Sequence, residues 1–204
     1  MFRCGALLLI LSAGCNSVVG GGAAEADVTI FGDKEVVVAP APSVGPPRAT
    51  PALQVAHSFE GTVTVRLRAF LVAGAFPISI SGADQEVEVS LIEGVSTPLN
   101  TFLISPGVYQ GLRILFTEIR ADVTSGLGSS ESSGGGVVTV DLGNEGFLVL
   151  EEDLQILLRD DIRLKVNLEL RAPEWLAAVA GESEPRVVSA EEFLAAAHIG
   201  IRPE

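Results

Sequence analysis

A continuous run of strand-forming residues at 109–123 constrains the fold of this chain more than any other segment. A Pro106-Gly107 turn precedes the run, and apolar residues then recur at every second position. The apolar positions are Leu112, Ile114 and Phe116, followed after a change of phase at Thr117 by Ile119, Ala121 and Val123. A shift of one residue indicates either a β-bulge or a strand that passes from one sheet to another. Either interpretation makes this segment a central strand.

Shorter segments with the same period-two pattern flank this strand. The clearest alternation lies in 61–69 and in 162–170. The other strand-like segments are 76–81, 86–91, 99–104, 137–142 and 146–150. Short strands separated by turns predict a mainly β protein, an antiparallel β-sandwich of the immunoglobulin or transthyretin-like kind.

Two short helices are predicted after the last of these strands. The segment 173–181 has Pro173 in its first turn and Gly181 just past its end. Ser189 and Glu192 have the spacing of a capping box before an apolar run. We expect Trp175, on the first helix, to fill one end of the sandwich core; stacking on a ligand is the alternative.

The N-terminus has the pattern of an export signal. A basic start is followed by an uncharged, mostly apolar run at 4–13, which is too short to span a bilayer. The run ends in Leu11-Ser12-Ala13-Gly14-Cys15. This sequence resembles the lipobox of bacterial lipoproteins, with Leu11 one position earlier than the usual leucine of that family.

The resemblance implies that residues 1–14 are a signal peptide and that the thiol of Cys15 carries a diacylglycerol. The alternative is an ordinary secretory leader cut near Ala13 or Gly14, which would leave Cys15 unmodified. Asn16 resembles the outer-membrane sorting residue of enteric members, so the implied location is the bacterial cell envelope, anchored by lipid in the outer membrane. Because Cys4 lies in the leader, the mature chain would keep no thiol for a disulfide or for catalysis.

Residues 15–57 are predicted to form a tether between the lipid and the body. Gly and Ala fill 20–24, and 39–51 is rich in proline, a composition that favours an extended, stiff spacer. Within the tether, 27–38 contains two strand-like runs around Gly32-Asp33. This hairpin either joins the main sheet or stays loose. The body is predicted to comprise residues 58–204.

The order of features in the body resembles a group of bacterial lipoprotein domains of unknown function with a β-sandwich body. The likeness covers about 59–178 and rests on Gly-Thr-Val-Thr-Val at 61–65, Pro-Gly-Val-Tyr at 106–109 and the late helix with Trp175. That group has no assigned activity, so the likeness implies no catalytic residues.

The charge balance excludes some partners. The chain has 13 Lys and Arg against 26 Asp and Glu, a net charge of -13. Nucleic-acid binding needs basic patches that displace counterions, and electrostatic docking on anionic lipid needs them too. We therefore expect neither kind of interaction.

Residues that would support catalysis or metal binding are sparse. His57 and His198 lie far apart, and neither has a second histidine at ligand spacing. The sequence contains no Gly-x-Ser-x-Gly, no Ser-x-x-Lys and no phosphate-binding loop. We therefore predict no enzymatic activity, no cofactor and no metal site.

Acidic segments leave one alternative open. The carboxylates of 151–153 and of 160–161 could hold calcium if the two ends of 154–159 meet. The turn at 141–146 lacks the register of a calcium loop. A set of charged residues on the central strand is interpreted as an exposed ladder: Glu118, Arg120 and Asp122.

These observations predict a membrane-anchored, envelope-exposed lipoprotein that acts as a non-catalytic binding or structural module. It would contact the lipid bilayer through acylated Cys15 and bind a protein or glycan partner. The alternative is a calcium- or small-ligand-binding domain of an envelope complex.

Overall fold

The computed structural model describes residues 23–33, 58–74, 76–128, 134–160 and 162–204. Cys15, the predicted signal peptide, His57 and the proline-rich segment lie outside these residues. The second half of the predicted 27–38 hairpin lies outside them as well.

The described residues form a mainly β sandwich with two short helices near the C-terminus, which confirms the predicted fold class. The strands are β1 (Ala24–Phe31), β2 (Glu60–Ala73), β3 (Phe76–Ser79), β4 (Gln85–Ser90), β5 (Ser96–Ile104), β6 (Gly107–Ser125), β7 (Gly136–Val140), β8 (Leu148–Leu158), β9 (Arg163–Glu169), β10 (Arg186–Val188) and β11 (His198–Pro203). The small sheet has the order β11-β9-β1-β5. The large sheet has seven strands in the order β10-β7-β6-β2-β3, with β4 paired to β2 and β8 to β6. Most pairs are antiparallel, but β1 with β9 and β7 with β10 are parallel.

The central strand of the large sheet is β6, as predicted. It spans 19 residues and pairs with β2 on one side and with β7 and β8 on the other. The register of β2 against β6 shifts between Arg66 and Leu67, which leaves Thr117 as an extra residue. This bulge is the physical cause of the phase change in the sequence, and it keeps both apolar sets on the buried side of the sheet.

The strand β1 decides between the two alternatives for the start of the 27–38 segment, because it joins the sandwich. Ala24–Phe31 falls within the predicted tether 15–57, yet it lies between β5 and β9 in the small sheet. Its side chains alternate strictly, and Ala24, Ala26, Val28 and Ile30 are buried. Both edges of β1 are paired, one with β5 and the other with β9.

The core fills the space between the two sheets and is closed by the helices α1 (Ala172–Leu176) and α2 (Ala190–Ala196). Trp175 is 1% exposed and its indole N–H donates to the carbonyl of Leu170 at 3.1 Å, which confirms the predicted core role. Phe193 of α2 contacts Trp175 and Phe116 edge to face, with ring centroids 5.8 and 5.4 Å apart. Ser189 and Glu192 form the predicted capping box at the start of α2.

Candidate functional site

Two shallow grooves on the outer faces of the sheets are the candidate binding sites. One lies on the large sheet and is mainly apolar, whereas the other lies on the small sheet and is lined by both polar and apolar side chains. Outward side chains are not needed to fill the core, so the sequence is free to place binding chemistry there.

The outer face of the large sheet is charged on one side of the β6 bulge. Arg66 stands directly opposite Glu86 on β4 and Glu118 on β6, with nitrogen–oxygen distances of 2.5 and 3.4 Å. Arg120 pairs with Asp122 at 2.7 Å. These exposed pairs confirm the predicted charge ladder and leave its carboxylates neutralised by neighbouring guanidinium groups.

The same face is apolar on the other side of the bulge. We call this region the β6 groove; it is lined by Phe70, Pro77, Arg113, Leu115, Val149 and Glu151. Strand register assembles it, because Phe70 of β2 lies opposite Arg113 of β6, and Leu115 lies opposite Val149 of β8. The groove encloses about 410 Å³. A concave, mainly apolar surface with few polar groups is typical of binding sites.

One ion pair supplies the polar chemistry of the β6 groove. Arg113 and Glu151 are cross-strand neighbours, and their side chains meet at 2.8 Å. The hydrogen bond to Glu151 raises the pKa of the Arg113 guanidinium. The Nε atom of Arg113 is buried and has no hydrogen-bond partner among the described residues. The groove therefore offers an apolar floor with a fixed positive and a fixed negative group at its rim.

The polar groove on the small sheet has a volume of about 450 Å³. Its polar lining residues are Asp27, Thr29, Asn100, Thr101, Lys165 and Asn167. Asp27 already accepts a hydrogen bond from Thr101 at 2.5 Å and lies 3.6 Å from the Nε of Arg163. This neutralised carboxylate suits a neutral, hydroxyl-rich ligand better than a free cation.

The acidic segments proposed as a calcium site do not come together. Glu151, Glu152 and Asp153 belong to the extended strand β8, which continues to Leu158 before the turn that contains Asp160. At about 3.3 Å per strand residue, Glu152 and Leu158 are separated by roughly 20 Å. Asp161 lies outside the described residues. Within the described ranges, no group of three His, Cys, Asp or Glu side chains could hold a metal ion.

Of the remaining predicted candidates, only His198 lies among the described residues. His198 is exposed at the start of β11, and Cys15 and His57 lie beyond the part of the chain that the structure covers. Sequence reasoning missed both grooves, although one signal was present. Leu115 and Phe70 are apolar residues at positions that the alternation assigns to solvent, and such residues mark a surface that is not wholly polar.

Comparison of the chain with protein-family models, with curated proteins and with solved structures finds no match. Among the residues that the structure describes, no helix has the length and apolar character needed to span a membrane.

Proposed function

We propose that this protein is a lipid-anchored, envelope-exposed binding module that has no catalytic role. The β6 groove is the observation that carries the binding role, since it places an apolar floor beside an Arg113–Glu151 pair, whereas the same face beyond the bulge is a charge ladder. The lipobox-like sequence ending in Cys15 supports the anchor.

The chemistry of the groove defines the partner class. Phe70, Leu115 and Val149 suit an apolar or aromatic group, and the ion pair can bond to one or two polar atoms beside it. An exposed side chain of an envelope protein, or the apolar face of a glycan ring with its hydroxyl groups, has this character.

The anchor is tested by the intact mass of the protein from the membrane fraction, with a Cys15→Ala variant beside it. A mass equal to Cys15 through Glu204 plus acyl chains, absent in the variant, is the expected result. An unmodified mature chain in the soluble fraction contradicts the anchor and leaves a secreted β domain.

The binding role is tested by site-specific photo-crosslinking in intact cells. A photoreactive residue at position 115 lies in the groove, and one at position 120 lies on the same strand in the charge ladder. We expect a discrete adduct from position 115 that Phe70→Ser and Val149→Ser both reduce. Equal labelling from both positions would contradict a specific site.

A second candidate function is the binding of a small neutral ligand in the polar groove. Asp27, Lys165 and Asn167 supply acceptors and donors there, on strands whose backbones are fixed by both neighbours. Envelope sugars should then raise the melting temperature of the unsubstituted protein, and this rise should be lost in Asn167→Ala. Calcium should leave the melting temperature unchanged. A rise with calcium alone would favour the metal-binding alternative.

A further inference from the structure

One end of the sandwich carries several exposed apolar side chains. We call it the anchor-side end. It contains the start of β1 at Ala24, the end of β5 at Ile104, the start of β6 and the end of β8, because Ala24 pairs with Ile104 and Gly107 pairs with Leu158. The turn between β2 and β3 lies at this end too, since Val72, next to the turn, pairs with Gly111 of β6.

The three most exposed large apolar side chains of the described residues all belong to this end. Phe76 is 76% exposed, Leu103 is 73% exposed and Val108 is 62% exposed. Leu157, which is 50% exposed, lies directly opposite Val108 across the β6–β8 pair. Leu103 projects from the outer face of the small sheet, whereas Val108 and Leu157 project from the outer face of the large sheet, so exposed apolar side chains lie on both faces of this end. Several exposed apolar side chains at one end of a sandwich indicate a contact surface.

The backbone beneath these side chains is fixed. The Tyr109 hydroxyl, on a buried ring, donates to the carbonyl of Ser105 at 2.6 Å and so ties the β5–β6 connection to β6. Val108 and Leu157 are paired in the antiparallel β6–β8 ladder, whose register shifts between Tyr109 and Gly111. A surface on rigid strands keeps its shape without a partner, so binding costs little ordering entropy.

The position of the lipid-bearing cysteine identifies the partner. Cys15 precedes Ala24 by nine positions, a length of chain that reaches at most about 30 Å when fully extended. The anchor-side end is therefore the part of the body from which the chain leaves towards the lipid. The net charge of -13 disfavours attraction to anionic headgroups, which leaves apolar insertion as the source of affinity.

We propose that the anchor-side end rests in the interface of a phospholipid bilayer, with Phe76, Leu103, Val108 and Leu157 inserted among the headgroups. This rests on the proposed anchor at Cys15 and adds a second attachment that orients the body. Because the tether holds the surface close to the bilayer, a weak apolar contact is enough to keep it there. The opposite end, with its β4–β5 turn, then points away from the membrane.

The test attaches the chain from Cys15 onward to phosphatidylcholine vesicles through a maleimide lipid that reacts with the Cys15 thiol. Leu103→Trp places a reporter at the anchor-side end, and Ile92→Trp places one at the opposite end, where Ile92 is 61% exposed. Trp175 is buried and gives a constant fluorescence background. The fluorescence of the unsubstituted chain measures this background, which is then subtracted. Lipids brominated in the acyl chain quench tryptophans that enter the bilayer.

We expect quenching and a blue shift for the tryptophan introduced at position 103 and neither for the one at position 92. Equal behaviour of the two positions, or no quenching at 103, overturns the proposal. Without the lipid, the Cys15→Ala protein should bind the same vesicles weakly, and Phe76→Ser with Leu103→Ser should reduce that binding by roughly tenfold, as expected for the loss of inserted apolar surface. Ile92→Ser should not change it, and raising the salt concentration should not weaken it.

Two further outcomes are informative. If Leu103→Ser changes the sedimentation coefficient while quenching is absent, a second copy covers this surface and the bilayer contact is wrong. The maleimide coupling does not depend on whether Cys15 is lipidated in cells, so the two proposals can fail separately. Quenching in the vesicles together with an unmodified Cys15 in cells would support the bilayer contact and contradict the anchor. An acylated Cys15 in cells without quenching in the vesicles would support the anchor and contradict the bilayer contact.

Discussion

The two halves of β6, on either side of the bulge at Thr117, have the same inner face and opposite outer faces. Inward residues of both halves are almost fully buried, as Phe116 and Ala121 show. Outward residues form an apolar groove at Arg113 and Leu115 but a charge ladder from Glu118 onward. The core thus dictates one face of the strand and leaves the other open to different chemistry, and the groove is where we place binding.

The largest effect should come from the shared inner face. Phe116→Ala removes a fully buried ring that contacts Phe193, and it should lower the free energy of unfolding by about 3–5 kcal/mol. Urea unfolding followed by circular dichroism measures this change. A loss no larger than that of Leu115→Ser, on the same strand and opposite face, would erase the distinction between the two faces.

A smaller effect is expected where β2 approaches the second half of β6. Gly61 has a φ of +141°, and a Cβ there would overlap the carbonyl oxygen of Asp122 and lie 2.9 Å from the Cα of Val123. Gly61→Ala should therefore destabilise the fold by about 1–3 kcal/mol through backbone strain. Gly82→Ala is the control, because its Cβ would meet nothing within 4 Å although its φ is also positive. Equal losses would assign the effect to φ alone.

The groove side of the outer face should matter less for stability. Leu115 is only half-buried, so Leu115→Ser should cost about 1 kcal/mol while it removes the centre of the groove floor. Thermal unfolding measures the first effect, and the photo-crosslinking yield from position 149 measures the second. A large stability loss with intact crosslinking would mean that Leu115 serves the core instead.

The ladder side should matter least at ordinary salt concentration. Arg120 and Asp122 are exposed, so Arg120→Ala should change the free energy of unfolding by about 0–1 kcal/mol, and less still as salt screens the pair. Urea unfolding at low and high salt tests both statements. A loss that persists at high salt would show that the ladder holds β6 in place rather than only keeping its face polar.

The cap of α2 gives a pH-dependent test of the packing behind Phe116. Hydrogen bonds from the side chain and backbone N–H of Ser189 lower the pKa of Glu192 below that of the unfolded chain. A lowered folded-state pKa stabilises the fold above the unfolded value and loses that contribution as the pH falls through the folded value. The melting temperature of the unsubstituted protein should therefore approach that of Glu192→Gln as the pH is lowered. A constant difference between the two would contradict the capping role of the carboxylate.

Period-two alternation was enough to predict most of the strands that build the core, because burial imposes that pattern directly. It did not predict the part of β8 beyond residue 150. The bulge at Thr117 was also readable, since it shifts the phase of the apolar residues by one. The helix cap at Ser189 was readable because it depends on residues three positions apart. Each of these features is local in the sequence.

Features that depend on distant partners were not predictable. The strand β1 pairs with β9 across more than a hundred residues, so the sequence left open whether its segment joins the main sheet or stays loose in the tether. The β6 groove requires the registers of β2, β6 and β8 together, so Phe70, Leu115 and Val149 cannot be placed side by side from the sequence. The strand β10 has three residues, too few to show a pattern, and in the six residues of β11 only Ile199 and Ile201 alternate as apolar positions.

The central place of β1 in the small sheet has a mechanical consequence. The strand nearest the proposed anchor pairs with β5 from Ala24 to Phe31, with one register shift after Val28, and with β9 from Glu25 to Phe31. A force that pulls the chain ahead of Ala24 along the strand axis would shear both rows of hydrogen bonds at once instead of peeling them one by one. If the body is held on a membrane through this strand, a force on the body would load both rows of hydrogen bonds together.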